Sequence, residues 1–274
     1  MQIVSTCLAR DLPVYRLTYQ SLRRHLPDAE MHVITKREDF PKFTEACGRE
    51  LTLWDEADLV PNMTLGELRK MPYPFFPKGA GWYFQQFLKF AFVNVSNDDE
   101  YYLIWDADTV LLRPIELFNP EGKPYYTTAT EYHIPYFETY QAIFGNKAHR
   151  EFSYISQHQI IRKRVLREML SKMEALHPSS KNWAWAIMEN LSGSGSNLFS
   201  EYETYGHYLK SEYPDSFVVR NLDWTRNGGK YAGNPPKQEK LEKLGEIFDF
   251  AAFEVSHSFR RKILYRLKKI AGLP

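Results

Sequence analysis

The sequence predicts an α/β fold, a mixed, mainly parallel sheet flanked by helices, with a less regular C-terminal half. Three observations carry this. Short apolar runs alternate with segments of helical spacing through the first hundred residues, the strand–helix–strand rhythm of a parallel sheet. Tyr101-Tyr102-Leu103-Ile104-Trp105 is an apolar run of strand length that stops abruptly at Asp106-Ala107-Asp108. Beyond that point the alternation weakens.

Taken in order, Gln2 to Cys7 reads as a short buried strand. Asp11 to Leu26 follows with Val14, Leu17, Tyr19, Leu22 and Leu26 at helical spacing. Met31 to Thr35 is a second strand, Phe40 to Cys47 a short helix, and Leu51 to Trp54 a third strand. Pro61 to Ala80 is rich in Pro, Gly and Met and reads as an extended loop with one helical turn. Trp82 to Val95 is a helix with Phe84, Phe87, Leu88, Ala91 and Phe92 on one stripe. Lys123 to Thr130 is a candidate strand, and Ala148 to Ser153 and Gln159 to Ile161 are mixed in character. Arg162 to Leu176 is a helix with Val165, Leu166, Met169, Leu170 and Met173 inward, and Trp183 to Leu191 a shorter one. Ser192 to Ser196 is a Gly-Ser loop. Phe199 to Leu209 is helical, Phe217 to Arg220 a strand, and the Gly/Pro-rich Asn227 to Lys240 a mobile loop. With no internal repeat and no linker, residues 1–258 form one domain, followed by 259–274.

The chain has 274 residues, 43% hydrophobic and 25% charged, which is a globular composition with ample core. A net charge of +1 excludes a general electrostatic nucleic-acid binder. Cys7 and Cys47 have no metal or redox spacing, and two free thiols suit a reducing compartment. The opening Met1-Gln2-Ile3-Val4 lacks an export signal, and no apolar run approaches the roughly 20 residues that span a bilayer. The expectation is a cytoplasmic protein.

Asp106 and Asp108 are separated by one residue at a strand end. In ideal strand geometry they face the same way and place two carboxylates near one point. In open α/β sheets, ligands bind outside the carboxyl ends of strands. A hard cation, Mn²⁺ or Mg²⁺, takes oxygen ligands and bridges carboxylates to substrate phosphates, neutralising a departing diphosphate. The bare pattern D-x-D is common; the five strand-forming residues before it, and Thr109 to Pro114 after it, give it weight.

Tyr101 to Thr109 with Leu112-Arg113-Pro114 resembles the strand and D-x-D segment of GT-A (Rossmann-like) glycosyltransferases. Gly81-Trp82-Tyr83-Phe84-Gln85-Gln86-Phe87-Leu88-Lys89 upstream and Ser200-Glu201-Tyr202-Glu203-Thr204-Tyr205-Gly206 downstream narrow it. Together they resemble a family of bacterial glycosyltransferase-like proteins typical of surface-polysaccharide gene clusters, over roughly residues 1 to 260. The resemblance implies a nucleotide-sugar donor, usually UDP-linked, a divalent ion, and a saccharide or lipid-linked acceptor.

It also implies roles for individual residues. Ser5, Thr6 and Cys7 follow the first strand, where this fold places base and ribose; Arg10 and Lys36 share that edge and are candidates for phosphate or uracil, against ordinary surface charge. Gln85, Gln86 and Lys89 form a polar helix face suited to ribose or diphosphate, against a solvated face. Trp82 is either a lid on the base or core. Glu203, ranked above Glu201, is the expected base of an inverting transfer, with Ser200 as N-cap and a capping box as the competing role for Glu203. A retaining enzyme needs neither as a base. His257 is the expected third metal ligand beside Asp106 and Asp108, with Arg260 and Arg261 on the diphosphate. Trp224, Arg226 and Ser156-Gln157-His158 are further polar candidates without a spacing argument.

Phe259 to Leu273 holds six basic residues and no acid, with Phe259, Ile263, Leu267 and Ile270 on one helical face. That is the pattern of a basic amphipathic helix on an anionic membrane surface, here the inner face of the cytoplasmic membrane, or of a helix docked on the core. Two rival functions remain. A sugar nucleotidyltransferase would want glycines in Ser5 to Arg10, which has none. A non-catalytic carbohydrate-binding or scaffold protein would lack donor turnover.

Overall fold

The computed structural model describes residues 1–76, 78–148 and 150–254. Its strands are β1 (Gln2–Thr6), β2 (Glu30–Thr35), β3 (Thr52–Asp55), β4 (Tyr101–Trp105), β5 (Thr109–Leu111), β6 (Tyr125–Thr127), β7 (His158–Arg162), β8 (Val218–Arg220), β9 (Trp224–Thr225) and β10 (Phe250–Ala252). The first six helices are α1 (Leu12–His25), α2 (Phe40–Cys47), α3 (Leu65–Arg69), α4 (Ala80–Ala91), α5 (Ile134–Phe144) and α6 (Lys163–Leu176). Then come α7 (Trp183–Glu189), α8 (Glu201–Glu212), α9 (Gly228–Ala232) and α10 (Gln238–Gly245).

The main sheet has the order β3-β2-β1-β4-β7, parallel throughout except for the antiparallel β4–β7 pair. Its strands are near-continuous apolar runs because both faces are covered. Val4, Ile34, Tyr102 and Ile104 face the larger core, filled from α4, α6, α7 and α8. Ile3, Val33, Leu103 and Trp105 face the other, with Tyr15, Leu22 and Phe43 of α1 and α2. Helix α4 is apolar round most of its circumference, with Tyr83, Phe84, Phe87, Leu88, Phe90 and Ala91 buried, as befits a helix packed on most sides.

A second sheet, β5-β10-β9, leaves the first directly after the acidic pair, and β6–β8 form a third. The segment expected as a mobile loop, Asn227 to Lys240, instead holds α9 and the start of α10. Ala232, Leu241 and Leu244 pack there against Val110, Ala251 and Phe253. Helices this short display too few turns for a periodic signal. Helix α5 also escaped the sequence pattern, although Pro135 at its start and the buried Tyr136, Tyr140, Ile143 and Phe144 at helical spacing mark it. Both cysteines are free thiols. Among the described residues no helix is long and apolar enough to cross a membrane. The expected amphipathic helix 259–274, with Arg260, Arg261 and the preceding His257, lies outside the described residues.

Candidate active site

The chain runs outward from β1 through β2 to β3, then returns to the other side of β1 as β4. Connections therefore leave β1 and β4 in opposite directions, and a crevice opens between their carboxyl ends. A cavity of about 410 Å³ lies there, with Thr6 and Cys7 contributed from the end of β1 and Asp106-Ala107-Asp108 from the end of β4.

Strand β4 ends at Trp105, and Asp106 begins a turn closed by the Thr109 N–H donating to the Asp106 carbonyl at 3.0 Å. The Trp105 indole N–H holds this turn by donating to the Thr109 carbonyl at 2.6 Å. The strand parity expected to align Asp106 and Asp108 therefore does not apply; the turn brings both to the cavity instead. Asp106 continues the side of β4 that faces α4, and its Oδ1 accepts from Lys89 Nζ at 2.5 Å and from the Tyr202 hydroxyl at 2.8 Å.

Lys89 also donates to Glu201 Oε1 at 2.6 Å. The lysine is buried, at 3% exposure. Burial alone would lower its pKa, but the Asp106 and Glu201 carboxylates win and hold it above the ordinary lysine value. Gln86, one helical turn earlier, accepts from the Glu201 N–H at 3.0 Å and so fastens the start of α8 to α4. Burial raises the Glu201 carboxyl above its usual range, opposed by Lys89.

The third wall comes from late in the chain. Phe253 N–H donates to the Asp108 carbonyl at 2.8 Å, continuing the β5–β10 pairing and setting Glu254 beside the acidic pair. Arg226, after β9, meets Glu131 at 2.5 Å and Glu254 at 3.6 Å. Turned so that its nitrogen faces Asp106, the orientation that satisfies both neighbours, the Gln157 amide links the walls, donating to Asp106 Oδ2 at 3.2 Å and accepting from Arg226 at 3.0 Å. Gln157 holds φ at 66°, a left-handed conformation that disfavours a residue with a Cβ.

Six carboxylates line the cavity, those of Asp11, Asp106, Asp108, Glu131, Glu201 and Glu254, against two cations, Lys89 and Arg226. Burial, together with Asp106 and Glu254, pushes the Asp108 carboxyl up to about 7. Glu254 is raised too, by burial, against the pull of Arg226. Such a surplus of oxygen donors suits a hard divalent cation. Asp106 has Oδ1 engaged by Lys89 and Tyr202, whereas the donor that meets the Asp108 carboxylate among the described residues is its own backbone N–H. Among those residues no group of three or more His, Cys, Asp or Glu side chains is arranged to hold a metal. Asp106 and Asp108 thus fit a cation as part of its shell, the part that leaves room for phosphate and water oxygens.

Of the residues singled out from sequence, Cys7, Gln85, Gln86, Lys89, Asp106, Asp108 and Glu201 line the cavity, as do Trp82, Gln157 and Arg226. Others lie elsewhere. Ser5 donates to the Trp105 carbonyl at 2.7 Å inside the sheet. Arg10 pairs with Asp11 and Lys36 with Glu38, and neither Arg10 nor Lys36 lines the cavity. The Glu203 carboxylate turns away to Ser153, to the Tyr154 N–H at 3.4 Å and to His207 at 3.1 Å. Ser200 does cap α8 by accepting from the Glu203 N–H, but the Glu203 side chain does not close the box. Ser156 donates to the carbonyl of His158, His158 stacks on Trp105, and Trp224 stacks on Phe250. Cys7 borders the cavity as a thiol whose pKa is pushed up by burial and by Asp11 and Asp108.

Sequence reasoning missed Glu131, Tyr136, Asn197 and Glu254. Their only sequence signal was proximity: Glu254 stands three residues from His257, and Tyr136 begins a helix that Pro135 announces.

The model of a family described as a family of unknown function (DUF6492) matches residues 3–225. No curated protein matches the sequence. Among solved structures, the galactosyltransferase LgtC, crystallised with donor and acceptor sugar analogues, is similar with a TM-score of 0.47 at 10% identity, over 92% of this chain and 87% of that one. The apo form of mouse xyloside xylosyltransferase 1 gives 0.49 at 12% identity, over 93% and 98%. The apo-form glycosyltransferase GlyE of Streptococcus pneumoniae TIGR4 gives 0.42 at 12%, over 93% and 54%.

Proposed function

The chain belongs to the DUF6492 family, and we propose that it is a cation-assisted glycosyltransferase that takes its sugar from a nucleoside diphosphate, UDP being favoured. The supporting observation is the charge of the cavity. A diphosphate would be repelled by six carboxylates facing two cations unless a divalent ion stood between, and the cavity sits at the switch point where such ligands bind. The resemblance of the D-x-D segment to GT-A glycosyltransferases points the same way.

Asp106 and Asp108 are the cation's protein ligands in this proposal. When bound, the cation neutralises the leaving diphosphate. Lys89 fixes the Asp106 and Glu201 carboxylates and screens one from the other. Glu201, the cavity-facing member of the two glutamates, is the base of an inverting transfer. The acceptor oxygen bonds to the anomeric carbon, and the bond from that carbon to the diphosphate oxygen breaks with its electron pair staying on the diphosphate. The acceptor proton passes to Glu201. The acceptor is a saccharide, free or lipid-linked, in surface polysaccharide synthesis at the inner face of the cytoplasmic membrane.

Calorimetric titration of UDP, with Mn²⁺ and with chelator, into wild type and Asp108→Ala tests the donor site. Binding that requires Mn²⁺ and disappears in Asp108→Ala is the expected result. Absence of binding under every condition would refute a UDP donor and favour a non-catalytic protein.

A further inference from the structure

One wall of the cavity differs from the rest. Trp82 at the start of α4 and Tyr136 at the start of α5 stand with near-parallel rings, 17° apart in plane and 6.4 Å between centroids. Tyr83 meets the indole edge-on at 4.9 Å. The third aromatic of the cavity, Tyr202, is already committed, its hydroxyl to Asp106 and its ring face to the Lys89 ammonium at 4.7 Å. Trp82 is only half-buried and lines the cavity. Tyr136 is 7% exposed, and it too lines the cavity. Trp54, Trp105 and Trp185 give their indole N–H groups to protein acceptors. Among the described residues neither the Trp82 N–H nor the Tyr136 hydroxyl has a partner. Glu131, at the loop before α5, lines the same wall.

The Tyr136 hydroxyl is not sealed in, so a ligand or water can meet it, and the half-buried indole beside it borders the same cavity. The ligand that fits is flat and apolar on one side, with hydroxyl donors round its rim. A pyranose is such a body: its axial C–H groups form a face that packs on an indole, and its hydroxyls suit carboxylate acceptors. A uracil ring would also stack, but its two carbonyls and single N–H would confront a cavity rich in carboxylates and poor in donors.

We propose that Trp82 and Tyr136, with Glu131, form the acceptor subsite, and that the acceptor is a pyranoside whose C–H face lies on the indole. This rests on the glycosyltransferase reading for the word acceptor; the saccharide subsite itself does not. The Tyr136 hydroxyl meets one of its ring substituents, and Glu131, held by Arg226, accepts from another. Tyr132 and Ile134, exposed at 67% and 53%, flank this wall in sequence and leave room for an apolar aglycone outside the cavity.

Saturation-transfer NMR on the full chain tests it, using the methyl α- and β-pyranosides of glucose, galactose and N-acetylglucosamine, with and without UDP and Mn²⁺. The expected result is transfer concentrated on the C–H protons of one face of at least one pyranoside. It falls at least threefold in Trp82→Leu and is recovered in Trp82→Phe, which keeps a ring. Tyr136→Phe guards against a fold defect in Trp82→Leu and weakens transfer while preserving the stack. Absence of transfer to every pyranoside, or equal transfer in Trp82→Leu, overturns the proposal. So does transfer to uridine H5 and H6 of UDP that vanishes in Trp82→Leu, which would give the ring to the nucleobase. If UDP with Mn²⁺ fails to bind by calorimetry while pyranosides still show the Trp82-dependent signal, the saccharide subsite is supported and the donor reading alone falls.

Discussion

Lys89 Nζ, on a side chain 4% exposed, lies 2.5 Å from Asp106 Oδ1, and the same ammonium reaches Glu201 at 2.6 Å. One buried cation therefore serves two carboxylates that come from distant parts of the chain. Breaking such an arrangement from one side costs more than the pair contributes, because the remaining charges stay buried without compensation.

Lys89→Met should destabilise the fold by about 3–5 kcal/mol in urea unfolding. Adding Glu201→Gln to it should recover part of that loss, since one of the two stranded charges is removed. A double variant no more stable than Lys89→Met would show that the cation is not what balances Glu201.

Asp108 makes stability depend on pH in an unusual direction. Its folded-state value, about 7, lies above the 3.8 of an unperturbed carboxyl, so the folded chain holds a proton that the unfolded chain has released. Stability from this group is retained at low pH and lost as pH rises towards 7. Without divalent ions, wild type should lose about 2–3 kcal/mol between pH 5 and pH 8 relative to Asp108→Asn, at about 1.4 kcal/mol per unit. Parallel profiles in urea unfolding with chelator would refute it.

The two glutamates at the start of α8 should separate in function. Glu201→Gln is expected to lower transfer by about a hundredfold or more, while UDP binding with Mn²⁺ survives. Glu203→Gln should leave transfer near wild type and cost about 1–3 kcal/mol of stability, because Ser153 and His207 lose a carboxylate partner. Normal turnover in Glu201→Gln would remove the base assignment and favour a retaining mechanism.

Gly206 permits the close approach of α8 to Tyr154. A Cβ at this position would stand 2.3 Å from Tyr154 Cγ and 2.5 Å from Cδ2, far inside contact distance. Glycine to alanine inside a helix ordinarily gains up to about 1 kcal/mol. Gly206→Ala should instead lose about 1–3 kcal/mol, as overpacking does. A thermal melt at or above that of wild type would show that Tyr154 yields easily.

Part of this site is written locally and part is not. The five apolar residues of β4 and the acids after them announce a strand end, and the spacing of Gln85, Gln86 and Lys89 announces a polar patch on an otherwise apolar helix. Both follow from periodicities of a few residues. The cap at Ser200 is local too, but the direction of the Glu203 side chain depends on Ser153 and His207, one of them 50 residues away in sequence. Arg226 and Glu254 reach the cavity only because β10 pairs with β5 and β9. No short-range pattern encodes that pairing, and two- or three-residue strands leave no alternation to read. For the same reason Asn227 to Lys240 looked like loop: its helices exist because Phe253 and Ala251 give them something to cover.

The place of β10 as the middle strand of its sheet has a consequence for synthesis. The acids that share the cavity are drawn from Asp11 through Glu254, and the last wall waits on the last described strand to thread between two earlier ones. A nascent chain can build β1 to β4 and the buried Lys89 pair beforehand, yet its acidic pocket stays open on one side until residue 253 bonds to Asp108. Contacts of such long sequence separation form slowly. The pocket therefore closes only once β10 is in place, and competence to hold a charged ligand should appear late and all at once.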